Sequence, residues 1–226
     1  MTDWPSPGPI RGVIFDIHST LIDQGSAEEW LEAALAVVPH PLSADERGSL
    51  VAFLDRIWEG ARISDPGSSR DLSFEDHSRV FHELIAAGPG VDRELANALY
   101  DVMLDNWHAY DDTVPTLRAL KAAGIRSCLL SNAGVPIRNV LDREGVSPLV
   151  DTVVLSYEVG CVKPDHRIFR AALSALDLNA ENVLMVGDNA NDDGGGASLG
   201  LRTLILPRTS GRVHGLDTVV RLVVTN

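Results

Sequence analysis

Apolar and polar positions alternate in blocks along this chain. Five short runs, Gly12 to Ile17, Ile125 to Leu130, Leu149 to Leu155, Asn182 to Val186 and Leu201 to Leu206, are dominated by apolar residues. Each is followed by polar or glycine-containing residues, the pattern of strands buried on both faces of a parallel sheet. Helical patterns lie between the later runs. Thr113-Val-Pro115 opens one with a cap residue and an early proline, and Gly124 follows its end; Arg167 to Leu176 forms another. Strands alternating with helices at this spacing predict right-handed crossovers and an α/β fold, a doubly wound parallel sheet covered by helices. Polar residues at the carboxyl ends of such strands are the natural place for a site.

From Asp23 to about His108 this rhythm stops. Apolar residues there recur at i, i+3, i+4 and i+7: Leu31, Ala34, Leu35 and Val38, then Leu50, Phe53, Leu54 and Ile57. Val80, Phe81, Leu84 and Ile85 suggest a third stripe, preceded by Ser73 and Asp76 at capping-box spacing, and Leu95, Leu99, Val102 and Asn106 a fourth. The pattern predicts an inserted all-helical domain over 23–108, with the α/β core formed by 1–22 and 109–226. Trp30, Trp58 and Trp107 fall in the insert, where they are expected to pack between helices. Residues 64–69 read as a plain loop.

The 226 residues include 45% hydrophobic and 23% charged positions, a globular composition, and the net charge is −13. That sign disfavours nucleic acid as a partner, because phosphate-backbone binding depends on Lys and Arg. No apolar run approaches the 18 or so residues of a membrane helix, and Met1 to Ile10 lacks the basic flank and apolar stretch of a signal peptide, so the chain is read as cytoplasmic. Cys128 and Cys161 are too few for a disulfide framework and are read as packing residues.

Four polar clusters sit at or just beyond the ends of strand-like runs: Phe15-Asp-Ile-His-Ser-Thr20, Leu130-Ser-Asn-Ala133, Val162-Lys-Pro164, and Val186-Gly-Asp-Asn-Ala-Asn-Asp-Asp193. In this order they resemble the four motifs of the haloacid dehalogenase superfamily of aspartate-nucleophile hydrolases, and the helical insert falls where that superfamily places a helical cap. The resemblance covers 11–22 and about 112–207. It implies that Asp16 attacks to form an aspartyl intermediate, and that Ser131 hydrogen-bonds a phosphoryl oxygen, with Asn132 and Thr20 as further substrate-binding candidates. It also implies that Lys163 bridges nucleophile and phosphate. A carboxylate attacks an anionic phosphate only when cations neutralise the charge on both, so Mg²⁺ is the implied cofactor. Its implied ligands are Asp16, the backbone carbonyl of His18, and Asp188, with Asp193 as the second acidic member bonding Lys163 or a metal-bound water. Asp192 is read as solvated or as a cap, and Gly194 to Gly196 as the tight start of a helix.

The resemblance breaks at His18. Phosphatase members carry a second Asp two residues after the nucleophile, which protonates the leaving oxygen; dehalogenases carry Tyr there and phosphonate hydrolases Ala. Retention of Gly187-Asp188 points to the metal, since the dehalogenase branch needs no Mg²⁺ and generally lacks that pair. The favoured expectation is therefore a Mg²⁺-dependent phosphatase acting on a small phosphorylated metabolite, with His18 doing acid-base work. Carbon-halogen or other nonphosphate hydrolysis is the alternative, and a weakly active phosphate-binding protein a third. Arg56, Arg62, His77 and His82 are the substrate-selecting candidates in the insert, each read first as a surface group. The insert is expected to move as a lid, hinged near Asp23 and Tyr110 to Thr113.

Overall fold

In the computed structural model, which describes residues 8–224, one strand organises the sheet. The outermost parts of the expected core segments, 1–7 and 225–226, lie outside the described residues, as does most of the stretch read against a signal peptide. In chain order the elements are β1 (Gly12–Phe15), β2 (Ile22–Asp23), α1 (Ala27–Val37), α2 (Ala44–Leu54), α3 (Ile57–Ser64), α4 (Phe74–Ala86) and α5 (Arg93–Asp101). They continue with β3 (His108–Ala109), α6 (Thr113–Ala122), β4 (Arg126–Ser131), α7 (Ile137–Arg143), β5 (Thr152–Leu155), α8 (Ser156–Val159) and α9 (His166–Leu176). The last are β6 (Val183–Gly187), α10 (Ala190–Asp193), β7 (Arg202–Ile205) and α11 (Asp217–Val224).

Among the described residues the α/β unit is 8–23, 109–132 and 141–224. Its parallel sheet runs β5-β4-β1-β6-β7, with wholly buried β1 in the centre. The apolar run that gave β1 no polar side is thus explained by neighbours on both edges and layers on both faces. Helix α9 buries Ile168, Phe169, Ala172 and Leu176 against Ile14, Cys128, Leu130, Val183 and Met185. Both cysteines sit in this layer, and burial pushes the Cys128 thiol up to about 12, which keeps it a small apolar group. At α6 the capping expectation changes. Thr113 is the first helical residue and its hydroxyl donates to the Leu21 carbonyl at 2.7 Å, while the Asp112 carboxylate accepts the N–H groups of His214, Gly215 and Leu216.

The helical unit is 24–108 with 133–140. Its core joins Trp30, Leu31, Leu50, Leu54, Ile57, Phe81, Ile85, Leu95 and Leu99. The helices start where serine or aspartate satisfies orphan N–H groups: Ser26 with Glu29 and Ser43 with Glu46 form full capping boxes, and Ser73 and Asp92 cap α4 and α5. Each cap is worth about 1 kcal/mol. The stripe from Leu50 to Ile57 is broken at Asp55–Arg56, which divides it between α2 and α3 while both Leu54 and Ile57 stay buried. Asn106 falls beyond α5, in a turn closed by the Trp107 N–H donating to the Leu104 carbonyl at 3.3 Å. The three tryptophans pack as expected: the Trp30 indole N–H donates to the Leu99 carbonyl at 2.7 Å, and Trp58 lies against Phe81 and edge-on to Trp107.

Residues 133–140, which the sequence leaves with the core, pack with the helical unit. Val135 is buried in its core, and Gly134 lies so close to the chain between α3 and α4 that a Cβ there would overlap the Arg70 carbonyl oxygen. Among the described residues no helix is long and apolar enough to cross a membrane.

Candidate active site

Parallel register places the polar clusters. Phe15 pairs with Leu129 on one side and Val186 on the other, so β1, β4 and β6 end at one edge of the sheet. Asp16, Ser131 and Asp188 leave that edge together, and the Asp16 N–H still bonds the Val186 carbonyl at 2.8 Å. Beyond Asp16 the chain folds back: the N–H groups of Thr20, Leu21 and Ile22 all reach the Ile17 carbonyl, and Ser19 adopts φ +66°. A left-handed non-glycine residue here is a point of local strain. The turn buries Thr20 completely and leaves His18 half-buried, bridged to Ile22.

Lys163 arrives from β5 through α8, which Gly160 ends at φ +71°. Its ammonium is buried and donates to Asp16 Oδ1 at 2.5 Å and to Asp193 Oδ1 at 2.7 Å. Asp193, fully buried, also accepts the Asn189 N–H on Oδ2 at 3.0 Å. Glycine is required at 187 because a Cβ there would overlap the Asp193 carboxylate. Asp16, Asp188 and Asp193 each present an oxygen within 4.8 Å of the others. Asp192 is half-buried and accepts from Asn189 Nδ2 at 3.1 Å.

Two expected substrate ligands are hydrogen-bonded within the protein. The Thr20 hydroxyl donates to Asp16 Oδ2 at 3.2 Å, which helps to orient the carboxylate. Asn132 uses both ends of its amide on the Lys163 backbone. Ser131 is buried at the end of β4. Asn189 is the residue the sequence reading passed over: it caps α10 and supports both neighbouring aspartates, and an Asn directly before Ala-Asn-Asp-Asp is itself a capping signal.

The arrangement matches a known family. The haloacid dehalogenase-like hydrolase family fits residues 10–200. The chain belongs to that family.

It is 29% identical over 210 residues to (S)-2-haloacid dehalogenase 1 of Pseudomonas sp. (strain CBS-3), covering 88% of this chain and 86% of that protein. It is 33% identical over 195 residues to the glyceraldehyde 3-phosphate phosphatase of Methanothermobacter thermautotrophicus, covering 81% and 79%. A dehalogenase crystal structure superposes with a TM-score of 0.74 over 96% of this chain and 98% of that one, at 22% identity, which shows the shared fold. This haloacid dehalogenase-like chain is thus a hydrolase, and its relatives include both dehalogenases and phosphatases.

Burial dominates the electrostatics of the site. It pushes Asp16 up to about 7, with Asp193 and Asp188 adding to the rise and Lys163 opposing it. Burial also works against the charge on Lys163, but Asp16 and Asp193 outweigh it and hold the ammonium above its usual range. Three carboxylates thus cluster in a mostly buried place, two of them bonded to the Lys163 ammonium. An all-oxygen donor set of this kind fits a divalent hard cation.

Of the four substrate-selecting candidates, Arg56 and Arg62 are exposed and His82 is half-buried against Tyr100. His77 is a correction: it is buried, stacked on Phe81 at 4.3 Å and hydrogen-bonded to Tyr100 Oη at 3.1 Å. Burial, with Arg70 nearby, pushes it down to about 3 from 6.5. Between those values the unfolded chain binds a proton that the folded chain refuses, so stability is lost as pH falls from 6.5 toward 3 and is unaffected above 6.5. The loss is on the order of 1.4 kcal/mol per pH unit. His77→Phe keeps the stacking, and denaturant titrations should show a shallower acid loss than in the parent; an unchanged slope would contradict the assignment.

Proposed function

We propose that this hydrolase is a Mg²⁺-dependent phosphatase acting on a small phosphorylated metabolite through an aspartyl-phosphate on Asp16. The observation carrying this reading is the clustering of Asp16, Asp188 and Asp193, whose carboxylate oxygens lie within 4.8 Å of one another and offer the oxygen donor set a divalent hard cation takes. Asp16, Asp188 and the backbone carbonyl of His18 would hold the ion, with Asp193 bonding Lys163 and bordering the ion's site. When bound, Mg²⁺ would neutralise negative charge on the carboxylate and the phosphoryl group.

The chain's own residues do the rest. Thr20 and Lys163 fix the two Asp16 oxygens, so the carboxylate meets phosphorus preoriented. The Asp16 O–P bond forms as the bond from phosphorus to the leaving oxygen breaks. Lys163 and Ser131 supply donors to the phosphoryl oxygens, and His18 supplies the proton for the leaving oxygen. Water then attacks phosphorus as the Asp16 O–P bond breaks, returning a proton to His18, releasing inorganic phosphate and restoring the Asp16 carboxylate. Asn132 and Thr20 act as positioning groups in this scheme.

A second reading, carbon-halogen hydrolysis, is favoured by His18 in place of an acidic residue and by the dehalogenase relatives. The two readings separate in one assay pair. Phosphate release from an aryl phosphate that requires Mg²⁺ supports the first, and halide release from a 2-haloacid in excess chelator supports the second.

His18 carries its own prediction. A carboxylic acid that gives up its proton beside a bound cation leaves an anion the cation attracts, whereas imidazolium leaves no such anion. His18→Asp should therefore raise kcat on alkyl phosphates, whose leaving groups need a proton, more than on aryl or acyl phosphates. General acid assistance spans roughly 10² to 10⁴ in rate, which bounds the gain. A fall or no change across a leaving-group series, in folded protein that still binds Mg²⁺, would refute it.

A further inference from the structure

Three residues after Asp16, Ser19 stands in the left-handed region at φ +66°. A conformation of that kind persists only where the surroundings over-determine the backbone. Inside the turn, the Ser19 N–H donates to the Ile22 carbonyl at 2.7 Å, and the Ile17 carbonyl takes the N–H groups of Thr20, Leu21 and Ile22. These bonds close the turn on itself. They leave its placement to the outgoing end, residues 21–23.

Two later segments of the α/β unit hold that end. The Leu21 carbonyl accepts the Tyr110 N–H at 3.2 Å and the Thr113 hydroxyl at 2.7 Å. The buried Asp23 carboxylate is met by Arg208, from the loop after β7: Nε donates to Oδ1 at 2.9 Å, and Nη2 lies 2.8 Å from the same oxygen. The Tyr110 hydroxyl stands 3.4 Å from Asp23 Oδ1 and 3.3 Å from the Thr209 carbonyl oxygen, so its one proton serves both segments. Burial, with the Asp23 charge beside it, holds that phenol protonated above its usual range. The loop carrying Arg208 is itself tied at both ends. The Leu206 N–H bonds the Gly187 carbonyl at 2.9 Å, while His214 stacks on Tyr110 at 4.7 Å and the Asp112 carboxylate takes the N–H groups of residues 214–216.

We propose that Arg208 is a positioning residue for the reaction: by holding Asp23 it fixes the turn that leaves Asp16 and carries His18 and Thr20. The proposal rests on Asp16 as the nucleophile, a role common to the phosphatase and carbon-halogen readings. A buried carboxylate that loses its cation has to be rehydrated or neutralised, and the backbone bearing it moves to allow that. A misplacement of about 1 Å at the reacting groups can cost 10²-fold in rate.

Arg208→Gln should lower kcat about 10- to 100-fold with KM changed less than about twofold. Arg208→Lys, which keeps the charge and one donor to Asp23, should restore part of the loss. Asp23→Asn should match Arg208→Gln, and the double variant should lose no more than either single change, because both act through one contact. Arg212→Gln removes the same charge from the same loop, where Arg212 meets Asp111 in an exposed pair, and should leave kcat as it is. The turn itself can be watched. The seven histidines give seven backbone amide signals on ¹⁵N-histidine labelling, and the one missing from His18→Asn belongs to His18. Arg208→Gln should move the His18 signal, and Arg212→Gln should not.

An unchanged kcat or an unmoved His18 signal in folded Arg208→Gln would overturn the proposal, and so would additive losses in the double variant or an equal effect of Arg212→Gln. If Arg208→Gln does not fold, Arg208→Lys decides: its shorter reach should still move the His18 signal and lower kcat, and parental values for both would refute the role. Failure of the nucleophile reading looks different. Full turnover in Asp16→Asn would remove the catalytic part, while the His18 signal still tests whether Arg208 sets the turn.

Discussion

Asp16→Asn should abolish turnover and leave the fold intact. The amide is close in shape to the carboxylate and still offers an acceptor to the Thr20 hydroxyl, and Lys163 keeps Asp193 as its partner. What disappears is the charge that attacks. An amide is a far weaker nucleophile, and losing the nucleophile of a covalent mechanism costs on the order of 10⁴- to 10⁶-fold in kcat. Single-turnover assays on freshly prepared protein check this, because slow deamidation would regenerate the aspartate. A residual rate above a few per cent of the parent, with contamination excluded, would remove Asp16 from the nucleophile's role. Losing one carboxylate from a cluster with surplus negative charge should not lower the melting temperature by more than a few degrees.

Asp188→Ala is the second large effect, and it separates the chemistries. If Asp188 serves to hold the cation, its loss should lower Mg²⁺-dependent phosphate release about 10²- to 10³-fold and raise the Mg²⁺ concentration needed for half-maximal rate. Asp188 is also one of the groups that raise the Asp16 pKa, so without the metal the variant should be at least as stable as the parent. Melting in excess chelator measures that. Activity that excess chelator leaves undiminished, in parent and variant alike, would discard the cation and leave carbon-halogen hydrolysis as the account of the site.

Much of this was visible in the residues because the constraints are local. A strand buried on both faces has to read as a continuous apolar run, and the polar residue that ends it is marked by contrast, which is how Asp16, Ser131 and Asp188 stand out. Lys163 is different. It lies beyond α8 rather than at a strand end, and only the order of the four clusters picks it out; the distances to Asp16 and Asp193 come from the fold. Asn132 and Thr20 show what a linear pattern lacks. Whether an amide or hydroxyl faces a ligand or a neighbouring backbone depends on how far apart two loops stand, and nothing in the spacing of residues 132 and 163 encodes that. His77 did carry a signal, since it stands four residues before Phe81 on the buried side of α4. The packing of 133–140 with the helical unit turns on one glycine against a carbonyl, which no periodicity announces.

The most direct test is the identity of the adduct on Asp16. The protein is mixed with substrate and Mg²⁺, quenched with acid within the first turnovers, digested, and the peptide containing Asp16 weighed. A mass increase of one phosphoryl group, absent from Asp16→Asn and absent when Mg²⁺ is withheld, is the result this account predicts. An ester carrying the carbon skeleton of a 2-haloacid, formed in chelator with loss of halide, would contradict it.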